Sequence, residues 1–256
     1  IEYGRQRRRH RLLIDCGTSA VYPRLRERIL ALRESDRHFE LLVITHVDAD
    51  HIGGALDLLR QQQELGVTFG EIWFNGYVHL TPGGVVPRPE AEDILGPLQG
   101  EALTELIVAN GAAKWNAAVQ GGALVVPESG PLQVLRQLPG GMKLTLLSPF
   151  QGQLDRLRPA WDAACRKAGI VAGAATVDDR TRLDEVEEPT EEDDLLGDPD
   201  VGQLAARPFK PDRAAPNGTS IALLAEYAGR RALLSGDAFA PVMLDALARL
   251  PGNSPG

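Results

Sequence analysis

THVDADHIGG, residues 45–54, carries two of the chain's five histidines and two aspartates within six positions, with a glycine pair behind them. The stretch before it, FELLVIT (residues 39–45), is an apolar run that reads as a buried strand. The stretch after it, GALDLLRQQQEL (54–65), reads as a helix. A strand that ends in His46, Asp48, Asp50 and His51 suits a metal site, because imidazole nitrogens and carboxylate oxygens are the ligands of zinc and manganese. The short spacing lets one tight loop aim several side chains at one point. Gly53 and Gly54 are expected to let the backbone turn sharply and to keep bulk away from it. The carboxyl end of a strand is also where open α/β sheets bind their ligands. A solvated polar turn would use the same residue types, but strand, loop, glycines and helix together fit the metal reading.

Working outward, IEYG (1–4) and RHRLLIDCG (9–17) read as two strands joined by a basic turn. In YPRLRERILALRES (22–35), Leu25, Ile29 and Leu32 fall at helical spacing, and Pro23 suits a first turn. GEIWFN (70–75) and MKLTLLSP (142–149) read as strands, and residues from about 90 to 118 as helical. In GQLDRLRPAWDAACRKAG (152–169), Leu154, Leu157, Trp161 and Cys165 lie near one face of a helix that Pro159 is expected to kink or break. TSIALLAEYAGRRALLSGDA (219–238) reads as two strands around a Gly-Arg turn, and PVMLDALARL (241–250) as a final helix. Alternating strands and helices predict a mixed α/β fold.

At 256 residues and 43% hydrophobic content, the chain can bury a sizeable core. It reads as a single domain over 1–256 that is expected to be truncated at both ends; it opens without Met. No apolar run is long enough to span a membrane, and no signal peptide is visible. Cys16 and Cys165 are too few and too scattered for a disulfide framework, which predicts a reducing, cytoplasmic setting. The net charge of −8 is local in origin. Residues 178–200 hold 12 Asp/Glu and 2 Arg, leaving 25 Lys/Arg against 23 Asp/Glu elsewhere. Residues 170–216, acidic and proline-marked, therefore read as a mobile excursion. A protein partner or a protease acting on 178–200 would find it accessible. The basic RQRRRHR cluster (5–11) fits a solvated hairpin tip and leaves nucleic acid open as a partner. His10 and His38 are expected at the surface.

THVDADHIGG resembles the signature loop of the metallo-β-lactamase fold, in which His-x-His-x-Asp-His binds a dinuclear metal centre. Here Asp48 stands at the second ligand position. That His-x-Asp-x-Asp-His variant resembles the hydrolase domain of the DNA-uptake protein ComEC and its soluble relatives. Two further stretches are similar to the family. NGTSIALLAEYAGRRALLSGDA (217–238) matches its strand pair ending in Gly-Asp, and RLLIDCGTS (11–19) matches its early strand ending in Asp-x-Gly. Three family features differ. Ser148 and Pro149 stand where a later-strand histidine is expected. The His-His-Gly-Ser motif after the last helix and the opening Gly-x-Gly-Asp segment have no counterpart. The missing motif implies that a C-terminal ligand lies outside this chain or that the centre is incomplete.

The resemblance implies an αββα sandwich, with two mixed sheets flanked by helices and the metal loops at one edge. It implies a metal-dependent hydrolase, in particular a phosphodiesterase or nuclease acting on DNA. His46, Asp48, Asp50, His51 and Asp237 would hold one or two divalent ions, with Asp237 bridging. Asp50 and His51 would serve catalysis, Asp50 by orienting the attacking water. Asp48 in place of His makes the site harder, favouring Mn²⁺ or Mg²⁺ over Zn²⁺ more than an all-histidine site would. Asp15 and Ser220 are expected behind the ligands, as braces of the loops. His79, in WFNGYVHL, fits either a ligand or substrate contact or a partly exposed loop histidine. The alternatives are a hydrolase for another substrate, or a degenerate metallo-fold that binds and regulates a partner.

Overall fold

The computed structural model describes residues 1–5, 8–80, 95–174 and 214–252. The acidic stretch 178–200 and most of the predicted excursion lie outside the described residues. FELLVIT forms the heart of strand β3 (His38–Val43). β3 pairs in parallel with β2 (Arg8–Ile14) on one side and with β4 (Thr68–Trp73) on the other. Parallel strands need helical crossovers, which cover the sheet and turn a central strand apolar on both faces. Thus Leu42 and Ile44 join one core, while Leu41 and Val43 join another. β1 (Glu2–Arg5) adds antiparallel to β2, completing a four-stranded mixed sheet in the order β1-β2-β3-β4.

The first core stands between this sheet and four helices: α1 (Tyr22–Leu30), α2 (Ala49–Arg60), α3 (Leu95–Gly111) and α4 (Gln151–Ala168). Pro23 lies in the first turn of α1, as the sequence predicts. Pro159 does not break α4, which runs unbroken through it. Its buried stripe, Leu154, Leu157, Trp161 and Cys165, continues on both sides of the proline. That burial, at roughly 1.5–3 kcal/mol per large apolar side chain, offsets the cost of an interior proline, about 3 kcal/mol.

The second sheet has the order β5-β6-β7-β8, with β5 (Arg136–Gln137), β6 (Lys143–Ser148), β7 (Ala222–Tyr227) and β8 (Arg230–Leu234). The expectation of a mixed sheet holds for the first sheet; the second is antiparallel throughout. Its β7–β8 connection turns at Ala228–Gly229, not at Gly-Arg. Both residues have positive φ, +50° and +73°, as a tight two-residue hairpin requires. The second core joins Leu12, Leu41, Val43 and Trp73 of the first sheet to Leu144, Leu146 and Leu223 of the second. Helix α6 (Ala240–Ala248) packs Met243 and Ala246 into the same core. A single-turn helix, α5 (Ala215–Gly218), leads into Ser220 and β7.

The basic hairpin is only partly solvated. Arg8 and Arg9 are exposed, whereas Arg11 is buried, paired with Glu2 and donating to the Asp36 carbonyl. His38 is exposed, as expected, but His10 is buried. Its Nδ1 lies 2.5 Å from Glu40 Oε1, and its ring stacks on Tyr3 at 5.3 Å. The alternation of β2 turns His10 inward, and Glu40 on the neighbouring strand supplies the partner that makes its burial tolerable. Among the described residues no helix is long and apolar enough to cross a membrane.

Candidate metal centre

Helix α2 starts earlier than the sequence reading expects. Asp48 is its N-cap, so Asp50 and His51 lie in its first turn and Gly53 and Gly54 inside it. The glycine pair therefore makes no turn. The need for Gly54 is close approach: a β-carbon there would stand 2.4 Å from the Cys16 carbonyl oxygen. Two backbone hydrogen bonds lock this contact, Gly54 N–H to Gly17 O at 2.8 Å and Cys16 N–H to His51 O at 3.0 Å. The end of β2, with Asp15, is thereby pressed against the first turn of α2, with His51.

Asp48 departs from ordinary helix chemistry. An N-cap aspartate usually accepts an N–H from the first turn, yet this one makes no side-chain cap bond. Its Oδ2 lies instead 3.4 Å from His46 Nε2. Asp50 Oδ2 stands 3.5 Å from His51 Nε2. Asp237, just beyond the end of β8, sets Oδ2 4.0 Å from His46 Nε2 and 3.6 Å from His51 Nε2. The donor atoms of His46, His51 and Asp237 all lie within 4.8 Å of one another. The two rings are tilted by 48° to each other, with 4.2 Å between centroids. The structure thus brings all five sequence-predicted ligands to one place, each extra aspartate beside one histidine and Asp237 between the two.

The side of the cluster away from the carboxylates fixes both rings. Asp15 sits at φ +51°, a strained conformation for a non-glycine residue. From there its carboxylate accepts the Thr45 N–H at 2.8 Å, the Thr45 hydroxyl at 2.9 Å and His51 Nδ1–H at 2.8 Å. His46 Nδ1 lies 2.9 Å from Thr45 Oγ1 and 3.2 Å from Ser220 Oγ. Ser220 Oγ also accepts the Asp237 N–H at 3.2 Å, so Ser220 connects the two loops. Asp15 and Ser220 thus stand behind the His/Asp cluster and hold it through these bonds. Thr45 carries no signal of its own in the sequence beyond its place directly before His46 in THVDADHIGG.

Both Nε2 atoms consequently face carboxylate oxygens. His46 Nε2 is fully buried and has no hydrogen-bond partner among the described residues. Two donors bound to one ion at about 2.0–2.2 Å stand roughly 3–4 Å apart, as the histidine–carboxylate pairs do here. Burial alone would lower the His51 pKa. The Asp15 hydrogen bond and the charges of Asp15, Asp50 and Asp237 outweigh it and push the ring up to about 9. The site opens on one side: the His46 side chain is wholly enclosed, while those of Asp237 and Asp50 are 42% and 63% exposed.

His79 stands outside this cluster. Gly76 N–H donates to its Nδ1 at 3.0 Å, so its proton is on Nε2, which faces the Gly121 carbonyl at 3.2 Å. The ring is buried edge-on to Trp115, and burial lowers its pKa. Both nitrogens are spent on backbone groups.

Residues 6–99 match the metallo-beta-lactamase superfamily. The match covers His46, Asp48, Asp50, His51 and Asp15, and stops before Ser220 and Asp237. With two four-stranded sheets flanked by helices, it gives the αββα sandwich of the metallo-β-lactamase type. It also points to a metal-dependent hydrolase. No curated protein and no solved structure matches the chain.

Proposed function

We propose that this chain is a metal-dependent phosphodiesterase, a nuclease acting on DNA, with its ions held by His46, Asp48, Asp50, His51 and Asp237. One observation carries the metal reading. Two imidazole Nε2 atoms face three carboxylates, and the buried His46 Nε2 has no hydrogen-bond partner among the described residues. Carboxylates gathered around two imidazole nitrogens in this way are stabilised by a cation between them. A bound divalent ion supplies Lewis-acid chemistry, acidifying a water and neutralising charge on phosphate oxygens.

The chain's own residues divide the remaining work. His46 and Asp48 form the enclosed half of the site, and Asp50 and His51 the open half. Asp237, placed between the two histidines, can serve both. Asp50, the most exposed of the three carboxylates, is placed to orient a water at the mouth of the cleft. Asp15 holds His51 by Nδ1 and so keeps its other nitrogen directed at the site. The preference for a phosphodiester rests on the His-x-Asp-x-Asp-His pattern, which resembles the ComEC-like hydrolases. The more anionic ligand set also suits Mn²⁺ or Mg²⁺, hard ions used at phosphates.

Elemental analysis combined with a cleavage assay on single- and double-stranded DNA, with and without Mn²⁺, tests the reading. The expected result is one or two divalent ions per chain and metal-dependent cleavage that Asp50→Ala abolishes while the fold persists. Full cleavage in EDTA, or wild-type rates in Asp50→Ala, would overturn it. Metal bound without cleavage of either DNA would retain the metal site and remove the nuclease assignment.

A further inference from the structure

We infer that Thr45 is the positioning residue that sets which nitrogen of His46 carries the proton, and thereby turns the Nε2 lone pair toward the carboxylates. The inference rests on the metal-site reading only for its consequence; the proton assignment stands on hydrogen-bond chemistry alone.

A hydroxyl has one hydrogen to give. Thr45 Oγ1 lies 2.9 Å from Asp15 Oδ2, and an ionised carboxylate only accepts, so the hydroxyl hydrogen goes there. What remains on Thr45 Oγ1 is lone-pair density. His46 Nδ1, 2.9 Å away, can satisfy it only by donating. The proton of a neutral His46 ring is therefore on Nδ1 and the lone pair on Nε2. Ser220 Oγ is a second, longer partner at 3.2 Å, and its hydroxyl can either donate or accept. Thr45 has no such freedom, because Asp15 has already taken its hydrogen.

The backbone keeps Thr45 in place from both sides. Its N–H donates to Asp15 Oδ1, and its carbonyl accepts the Ile221 N–H at 2.9 Å, tying β3 to the entry of β7. Gly236, at φ +48°, would carry a β-carbon 3.3 Å from the Thr45 side chain, so the Asp237 loop lies directly against this hydroxyl. One small side chain thus stands between Asp15, His46 and the loop that delivers Asp237. Asp15 reaches His51 directly and His46 through Thr45, so a single carboxylate fixes the protons of both rings.

The test uses full-length protein with ¹⁵N-labelled histidine, compared as wild type, Thr45→Val and Thr45→Ser. Valine keeps the shape and the N–H and removes only the hydroxyl. Ring-nitrogen shifts of metal-free protein report the tautomer of the neutral His46 ring. Zinc affinity by chelator competition reports the consequence. We expect Nδ1–H in wild type and Thr45→Ser. In Thr45→Val we expect a mixed population and zinc affinity lower by about 10–100-fold. Wild-type His46 protonated on Nε2 overturns the inference, as does Thr45→Val with unchanged tautomer and zinc affinity. Should Thr45→Val fail to fold, the wild-type shifts decide alone. A wild type with Nδ1–H that binds no zinc supports the inference while removing the metal reading.

Discussion

His46 and His79 are both buried, at 2% and 7% exposure, yet their surroundings are opposites. His79 has a backbone partner for each nitrogen: it accepts from Gly76 and faces the Gly121 carbonyl. His46 has hydroxyl partners for Nδ1 and only acceptors facing Nε2. A buried histidine that braces the chain closes its own accounts with the backbone. His46, the proposed ligand, is held firmly by one nitrogen and left unsatisfied at the other among the described residues. Burial does not distinguish the two; the partner of the second nitrogen does.

The largest effect should follow from truncating each ring. His46→Ala is expected to lower Mn²⁺ or Zn²⁺ affinity by more than the roughly 100-fold seen when partners behind the ligands are lost. His79→Ala should act on stability alone. Metal affinity should stay within a few fold of wild type, while stability to denaturant falls by about 1–3 kcal/mol, since the Gly76 N–H loses its buried partner. Equal metal loss in both variants would erase the distinction.

Titration should separate His51 from His79 by sign. The folded pKa of His51 is raised to about 9 by Asp15, Asp50 and Asp237, against the effect of burial. Its contribution to metal-free stability is thus fully present below the ordinary value near 6.5 and lost as pH rises through about 9. Metal uptake below pH 9 should correspondingly release a proton from His51, measurable by calorimetry in buffers of different ionisation enthalpy. The folded pKa of His79 is lowered by burial, so its contribution is present above the ordinary histidine range and lost as pH falls through it. His51→Asn and His79→Asn should therefore flatten opposite limbs of the stability profile. Loss of the same limb in both would contradict the assignment.

The smallest effect concerns Asp48, which stands where the loop that this stretch resembles has its second histidine. Asp48→His should shift the ratio of Zn²⁺ to Mn²⁺ affinity toward zinc, by about tenfold, the equivalent of roughly 1.4 kcal/mol. An unchanged ratio would mean that Asp48 does not set the metal preference.

Much of the fold was legible because its signals are local. The apolar run of FELLVIT, the proline opening α1 and the stripe of α4 each follow from a period of two or 3.6 residues. The proximity of the His/Asp cluster was legible for the same reason, apart from Asp237, which came from likeness of the GDA-ending strand pair. What escaped depends on contacts between distant segments. Gly54 reads as a turn residue until the Cys16 carbonyl is found against it. Pro159 reads as a helix breaker until the burial on both sides of it is known. His10 reads as part of a basic tip until Glu40 and Tyr3 close around it. Thr45 reads as the last residue of a strand. Only the positive φ of Asp15, which swings a carboxylate across from β2, makes its hydroxyl the centre of the site.

The most direct test of the claim that His46 and His51 are ligands is anomalous diffraction from crystals of wild-type protein grown with Mn²⁺ or Zn²⁺, collected at the absorption edge of the added metal. The expected result is one or two peaks within about 2.0–2.3 Å of His46 Nε2, His51 Nε2 and an Asp237 carboxylate oxygen. A saturated crystal whose only peaks lie elsewhere, with the two Nε2 atoms bonded to water or to each other's carboxylates, would contradict it.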